Sequence, residues 1–525
     1  MCPLQTMGCC MLSNSSPETA EQHPGTASIE TMSELSKPSL IATGSDELPL
    51  ETSAILRIFG KNTLWLWLDL GALRVGTMLA GLFLIRYFGP TNFGIYSTAL
   101  AMGWLANAVV DIGLTRYAAR AVAATPYEAP SILMVSLLTT FISVLAEIVL
   151  LIFAAAEGHW ELASLAAGLV LCNFEGTASL CSSMLTADLR SRDILPGSIV
   201  GAVGLISLTF LVIWFHLSVL VMLVGLCFKS LFVLCMRLWQ LRSRWPARPH
   251  WRANEVYRVA RQAWPYFSYN LTQVGYGRVA ILCFGLVATQ EKVGWFAAAF
   301  ALSDVFPQWS YASSGALLPV WTRLYETKRI DELLSLRQRL LDIVLFLSVP
   351  LLVLLAVFAP QLCHFLGERF AASAPALRVV SSRSVLAVLD GFLGHGFLVA
   401  INRVKERQRA LGRCVVLLAI LSLALGYVWG PIGVAVALLI ADSTLIFQYL
   451  KLTTKIGLKI SWPAVLPSVM AGAAMAGTAL ALPQTIGLMV RIPASIVVYF
   501  LVLTVLSPGR LMSASRTLRE CISAS

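Results

Sequence analysis

The chain has 525 residues, 57% of them hydrophobic and 13% charged, with a formal net charge of +11 and a mean hydropathy of +0.76. A soluble protein of that composition would lack the polar surface to cover itself. The positive charge lies in short loops between apolar runs, where it sets orientation and attracts anionic headgroups, which argues against a nucleic-acid role.

Residues 1–55 are rich in Ser, Thr, Glu and Pro, hold no apolar signal-peptide core, and read as a disordered cytoplasmic tail. Met7-Gly8-Cys9-Cys10 hints at lipidation, but it is internal and Leu12 stands where the pattern needs Ser or Thr. Apolar runs of about 18 or more residues then recur from Trp65 to Leu506 and predict about 14 transmembrane helices in an all-α polytopic membrane protein. Six are expected at roughly 65–86, 93–115, 130–153, 162–186, 194–215 and 218–239. Six more are expected at roughly 263–287, 293–318, 340–366, 376–401, 411–429 and 432–451, and two at roughly 463–482 and 490–506.

Alternate loops carry the positive charge. One side holds Arg116 and Arg120, Arg190 and Arg192, the Arg237–Arg261 stretch, Arg323–Arg339, Arg403–Arg413, and Lys451, Lys455 and Lys459; the other side holds little beyond Lys292, Arg369 and Arg491. The positive-inside rule then places both termini in the cytoplasm. The expected layout is a six-helix lobe at 60–240, a basic cytoplasmic linker at 241–261, a second six-helix lobe at 262–455, two extra helices at 460–508 and a cytoplasmic tail at 509–525. Gly94-Ile95-Tyr96, opening the second span, is echoed by Gly294-Trp295-Phe296, opening the eighth. An even number of spans per repeat implies a two-fold axis along the membrane normal. Gly89-Pro90 closes the first external turn, and Arg323–Leu341 reads as an amphipathic surface helix.

The ionisable residues inside the spans are Arg74, Glu147, Glu175, Lys229, Arg278, Asp304, Arg383, Asp390, His395 and Asp442. A charge at membrane depth costs at least ~2.5–3.5 kcal/mol on insertion scales, so such residues face a cavity or a partner. Arg74, Arg278, Lys229 and Arg383 are the candidate ligands of an anionic headgroup, since arginine offers bidentate hydrogen bonds to phosphate and lysine a point charge. Glu147, Glu175, Asp304, Asp390 and Asp442 are the ion-coupling candidates. The competing reading is internal pairing, such as Arg383 with Asp390 or Arg278 with Asp304. His395 reads as a satisfied interior histidine. Asp111 and Arg116 suit a surface or interface role. The eleven cysteines have no metal or redox spacing, and no P-loop or catalytic module is apparent, so neither a cofactor, a metal nor an enzyme activity is expected.

Several motifs resemble Wzx-type oligosaccharide flippases, also described as polysaccharide biosynthesis proteins. Arg86-Tyr87-Phe88-Gly89-Pro90-Thr91-Asn92-Phe93-Gly94-Ile95-Tyr96 resembles their first-loop signature, and Asp111-Ile112-Gly113-Leu114 with Arg120 the end of their second helix. Val293-Gly294-Trp295-Phe296, Phe358-Ala359-Pro360 with Leu366-Gly367-Glu368-Arg369-Phe370, and Gly430-Pro431-Ile432-Gly433-Val434-Ala435 resemble later turns of the same family, over roughly 60–455. The resemblance implies the two-lobed fold of multidrug and lipid-linked oligosaccharide exporters. It implies translocation of an undecaprenyl-pyrophosphate-linked oligosaccharide across the bacterial cell inner membrane by alternating access, for lipopolysaccharide or exopolysaccharide, beside a polysaccharide polymerase and a chain-length regulator. Where family members often carry an aspartate, near Gly277, this chain has Arg278. The alternatives are an ion-coupled multidrug or small-solute antiporter of the same fold, which needs a carboxylate-dominated cavity, and a non-transporting membrane scaffold.

Overall fold

A computed structural model describes residues 50–124, 128–188, 190–242, 253–455, 462–483 and 487–506. The expected C-terminal tail at 509–525 and most of the expected N-terminal one lie outside these residues. Every element among those described is helical. The first lobe is built from α1 (Leu50–Val110), α2 (Leu114–Ala124), α3 (Ala129–Ala156), α4 (Trp160–Ala187), α5 (Ser191–Trp214) and α6 (Val219–Arg242). The second comprises α7 (Ala253–Val287), α8 (Gln290–Ser303), α9 (Val305–Glu326), α10 (Ile330–Val357), α11 (Ala359–Leu366), α12 (Ala374–Asp390), α13 (Leu398–Ala400) and α14 (Val404–Lys455). Two further helices, α15 (Trp462–Ala481) and α16 (Leu488–Leu506), pack on each other, and α15 packs on α10.

Predicted spans and observed helices correspond once the kinks are read. α1 contains two spans joined at Gly89 (φ 68°), and α14 contains two joined at Gly430 (φ 60°). Each kink is a Gly-Pro pair. The glycine takes a left-handed φ that a side chain resists, and the proline starts the next helix, where its missing N–H costs nothing. The eighth span is divided at Asp304 into α8 and α9, and the ninth at Phe358, where Ala359-Pro360 opens α11. In the tenth, Gly391–Phe397 forms a π-helical turn between α12 and α13.

Each lobe has one helix at its centre. In α4, and in the stretch 368–400 that contains α12, 72% of the apolar window is buried; in α3 the share is 22%. Composition explains the difference. α4 presents Ala163, Ala166, Ala167, Gly168 and Ala178, which let neighbours approach closely, whereas α3 turns Phe141, Ile142, Val149, Ile152 and Phe153 outward. The fourth and tenth spans are six apart, as the expected two-fold repeat requires.

The surface helix expected at Arg323–Leu341 is not formed. A turn at Thr327 to Arg329, with Lys328 at φ 58°, ends α9, and α10 then runs unbroken from Ile330 to Val357. Leu333, Arg337 and Leu341 are buried, with the Arg337 guanidinium 4.6 Å from the Phe397 ring centre. The apolar face expected to lie on lipid instead packs on the lobe. Within the stretch expected as a basic linker, α6 reaches Arg242 and α7 begins at Ala253, so Arg258 and Arg261 lie on a helix.

Candidate functional site

Arg74 lies midway along the first span of α1, where Leu73, Val75, Met78 and Leu79 are exposed with it. The close packing there is at Gly76, where an added Cβ would sit 2.7 Å from Ala202 Cβ on α5. Arg278, half-buried on α7, and Asp304, at the break between α8 and α9, both act electrostatically on Arg74. Arg74 and Arg278, from equivalent helices of the two lobes, form with Asp304 a charged centre in the sense of these mutual fields. Tyr96 lies within the fields of both Arg278 and Glu175. Glu175 accepts from Lys229 Nζ at 2.9 Å and from Ser230 Oγ at 3.1 Å. Lys229 thus borders this centre but is held by a carboxylate.

Arg383 is held differently, although the charge of Asp304 also acts on it. It is 5% exposed and paired with Asp442, which is 2% exposed and also accepts from the Tyr276 hydroxyl. The Phe300 ring lies 5.6 Å from its guanidinium. The partner is Asp442 on α14, not the Asp390 expected on its own helix. Arg383 thus lies in a buried ion pair with Asp442 as its counter-ion. Asp390 accepts from the Tyr311 hydroxyl at 2.9 Å. His395 is a satisfied interior histidine: Arg407 Nη2 donates to its Nδ1 at 2.9 Å, and the Tyr311 ring meets it edge-on. Glu147 accepts from Asn173 Nδ2 at 2.7 Å and Ser143 Oγ at 3.1 Å.

Several buried charges escaped the sequence reading, Asp69, Arg237 and Arg407 among them. Asp69 is 7% exposed, five positions before Arg74 on α1, with Ser198 and Arg237 as its neighbours. Its signal was present, as an aspartate inside an apolar run. Arg237 donates to Ser198 Oγ at 2.9 Å. Arg407 looked like one of many loop cations, yet it is fully buried and donates to the Tyr269 hydroxyl and to Gln273 Oε1, each at 3.0 Å.

The lobes meet above and below the charged centre. At the arginine-rich ends, α2 and α3 meet α7. Arg258 pairs with Glu128 at 2.8 Å, Ser131 donates to Glu255 at 2.8 Å, Arg120 to the Tyr266 hydroxyl at 2.9 Å, and Asn270 to Asp111 at 3.0 Å. Arg116 stacks on Tyr269 at 5.3 Å. Asp111 and Arg116 therefore take the interface role expected of them. Tyr117 donates to Glu128 at 2.7 Å; burial and that carboxylate push its hydroxyl up to about 12, so it remains a donor at neutral pH.

At the opposite ends α1 and α8 cross backbone to backbone. A Cβ on Gly94 would lie 1.9 Å from the Gln290 carbonyl oxygen, and one on Gly294 1.8 Å from that of Pro90. The echoed tripeptides of the sequence are the two halves of this crossing. Gly294→Ala is expected to force the helices apart and lower stability by about 1–3 kcal/mol, the usual cost of overpacking. Thermal unfolding of the purified protein checks this, and an unchanged midpoint would contradict so close a contact.

No curated protein matches the chain. Among solved structures, the lipid II flippase MurJ in an inward closed conformation is similar, with a TM-score of 0.67 at 14% identity over 85% of this chain and 99% of that one. An outward-facing multidrug resistance MATE family transporter of the MOP superfamily gives a TM-score of 0.50 at 14% identity, over 76% of this chain and 95% of that one. These likenesses establish the fold. The family model for polysaccharide biosynthesis proteins matches residues 59–325, just over half of the 525 residues, and spans the first lobe, α7, α8 and most of α9. The chain is a multi-pass membrane protein and belongs to the polysaccharide biosynthesis protein family.

Proposed function

We propose that this protein is a flippase. It moves an undecaprenyl-pyrophosphate-linked oligosaccharide from the cytoplasmic to the outer leaflet of the bacterial inner membrane, for surface polysaccharide biosynthesis. The observation that carries the reading is that Arg278 of the second lobe acts electrostatically on Arg74 of the first, both on helices at membrane depth. Two guanidiniums spaced around one centre suit a diphosphate, which accepts bidentate hydrogen bonds from each. Family membership supplies the biosynthetic context. The solved structure of like fold is named a lipid II flippase.

In this reading the headgroup and sugars ride between the lobes while the polyprenyl tail stays in lipid. The lobes rock about the centre, opening the α2–α7 contacts on one side and the α1–α8 crossing on the other. Lys229, held by Glu175, is a secondary contact that becomes available when that pair opens. Both termini lie in the cytoplasm, with the arginine-rich loops. The partners are those that consume an exported repeat unit, a polysaccharide polymerase and a chain-length regulator.

Deleting the gene and analysing lipid-linked intermediates by mass spectrometry tests the proposal. The expected result is a polyprenyl-diphosphate oligosaccharide accumulating inside the cell while surface glycan disappears. Unchanged lipid-linked pools and normal surface glycan would overturn it.

A further inference from the structure

A cleft of about 620 Å³ opens between the arginine-rich ends of α5 and α6, in the size range of sites that hold a small ligand. α5 lines it with Arg192, Asp193 and Pro196, and α6 with Trp239, Gln240 and Arg242. The cleft is separate from the charged centre. Arg192 lies roughly 15 Å along α5 from Ala202, the residue packed on Gly76 beside Arg74. Arg192 and Arg242 are exposed, and among the described residues neither is in an ion pair. The Arg192 guanidinium lies 5.8 Å from the Trp65 ring centre, a contact through its face that leaves the in-plane N–H donors for a ligand. Asp193, the carboxylate of the cleft, is already faced by Arg190 at 3.7 Å.

The apolar side of the cleft decides what kind of anion fits. Trp239 is 72% exposed, where a tryptophan at a span end suits the membrane–water interface. Beyond Pro196 the same face of α5 continues with Ile199 and Val203. Beyond Trp239 the same face of α6 continues with Phe232 and Phe228, and all four are exposed. Steps of three, four and seven residues keep each set on one helix face. The result is a basic mouth that opens into an apolar furrow. An amphiphile uses both parts, its phosphate in the mouth and its chains in the furrow, whereas a soluble anion would leave the furrow bare. Orientation in the membrane requires charge in these loops, but it does not require two arginines from different helices around one cleft.

The geometry points to the α5–α6 cleft as a binding site for an acidic phospholipid of the phosphatidylglycerol type, taken from the leaflet at the arginine-rich ends. Arg192 and Arg242 hold the phosphate oxygens from two helices, Trp239 lies against the glycerol, and the acyl chains follow the furrow. The bound lipid ties the last turn of α6 to the first turn of α5. Its effect reaches α1 through Arg237, which is 3% exposed beneath the cleft. Arg237 donates to Gln240 Oε1 at 3.4 Å and to Ser198 Oγ at 2.9 Å, and its charge acts on Asp69, five positions before Arg74. Occupancy therefore steadies the corner where α1, α5 and α6 meet without touching the cargo. The site stands independently of the flippase reading.

The experiment titrates the purified full-length protein in detergent with phosphatidylglycerol or phosphatidylcholine of identical chains, and counts retained lipid by native mass spectrometry. Wild type is expected to hold phosphatidylglycerol the more tightly. Arg192→Gln with Arg242→Gln should weaken phosphatidylglycerol by about 30-fold, from about fivefold per arginine at a membrane surface, and leave phosphatidylcholine unchanged. Each single replacement should show the fivefold step, so the test survives a double variant that fails to fold. Arg409→Gln with Arg413→Gln removes two exposed arginines from α14 and should keep the wild-type preference. Equal retention of the two lipids by wild type would overturn the proposal. An equal loss in the α14 variant would do the same, in favour of diffuse surface attraction. Displacement of phosphatidylglycerol by millimolar inorganic phosphate would overturn it in favour of a soluble anion.

Discussion

Replacing Arg74 and Arg278 together with alanine is expected to leave a folded protein in the membrane that no longer exports glycan. A hydrogen bond to a charged group contributes about 1.5–3 kcal/mol, so losing both guanidiniums should weaken headgroup binding by about 10²–10⁴-fold. The fold is expected to survive for a local reason. Arg74 is exposed, Arg278 is half-buried, and a Cβ at the neighbouring Gly277 would meet nothing within 4 Å. Asp304 retains the charge of Arg383 in its field. Single replacements should give intermediate losses, and Arg74→Lys should keep part of the activity, because an ammonium supplies charge without the fork. The measurement pairs surface-glycan quantification with the inner pool of lipid-linked intermediates, against protein level in the membrane. Normal surface glycan in the double variant would sink the anion site.

Asp442→Ala is expected to have the largest effect on stability. It strips the counter-ion from Arg383, which is 5% exposed. Breaking a buried pair from one side typically costs about 3–5 kcal/mol, whereas replacing both partners by apolar residues of similar size is often neutral. Asp442→Leu with Arg383→Met and Tyr276→Phe should therefore recover most of the loss, Tyr276 being included because its hydroxyl would otherwise lose its acceptor. Unfolding midpoints in detergent for the single and triple variants give the comparison. If the triple variant folds normally and yet abolishes export, the pair belongs to the transport machinery and not to the scaffold.

The sequence readily showed what depends on local pattern. Apolar runs bounded by arginines placed the membrane crossings, because insertion and orientation are decided run by run. Gly89-Pro90 and Gly430-Pro431 marked two kinks for the same local reason. What depended on distant partners was hidden. Arg383 and Asp442 are 59 positions apart and meet only through the packing of α12 on α14. Arg407 sat among Arg403, Lys405 and Arg409, and nothing in that run distinguishes the buried cation from its solvated neighbours. Asp69 was legible in principle, as an aspartate in the same apolar run as Arg74. The echo of Gly94 and Gly294 was visible as a repeat, while its meaning as a contact needed the structure.

That crossing has a consequence for how the protein tolerates change. Each glycine is excluded from bearing a side chain by a backbone oxygen of the other helix, Gln290 for Gly94 and Pro90 for Gly294. Side-chain trimming elsewhere cannot relieve a clash with backbone. The junction can therefore not be retuned by ordinary substitution, and neither position can drift while the other stays fixed. On the proposed function, cargo preference is free to diversify around the charged centre, where side chains would do the recognising. The backbone crossing of α1 and α8 is, by contrast, chemically mute, and on the proposed function it should stay the same whichever sugar is carried.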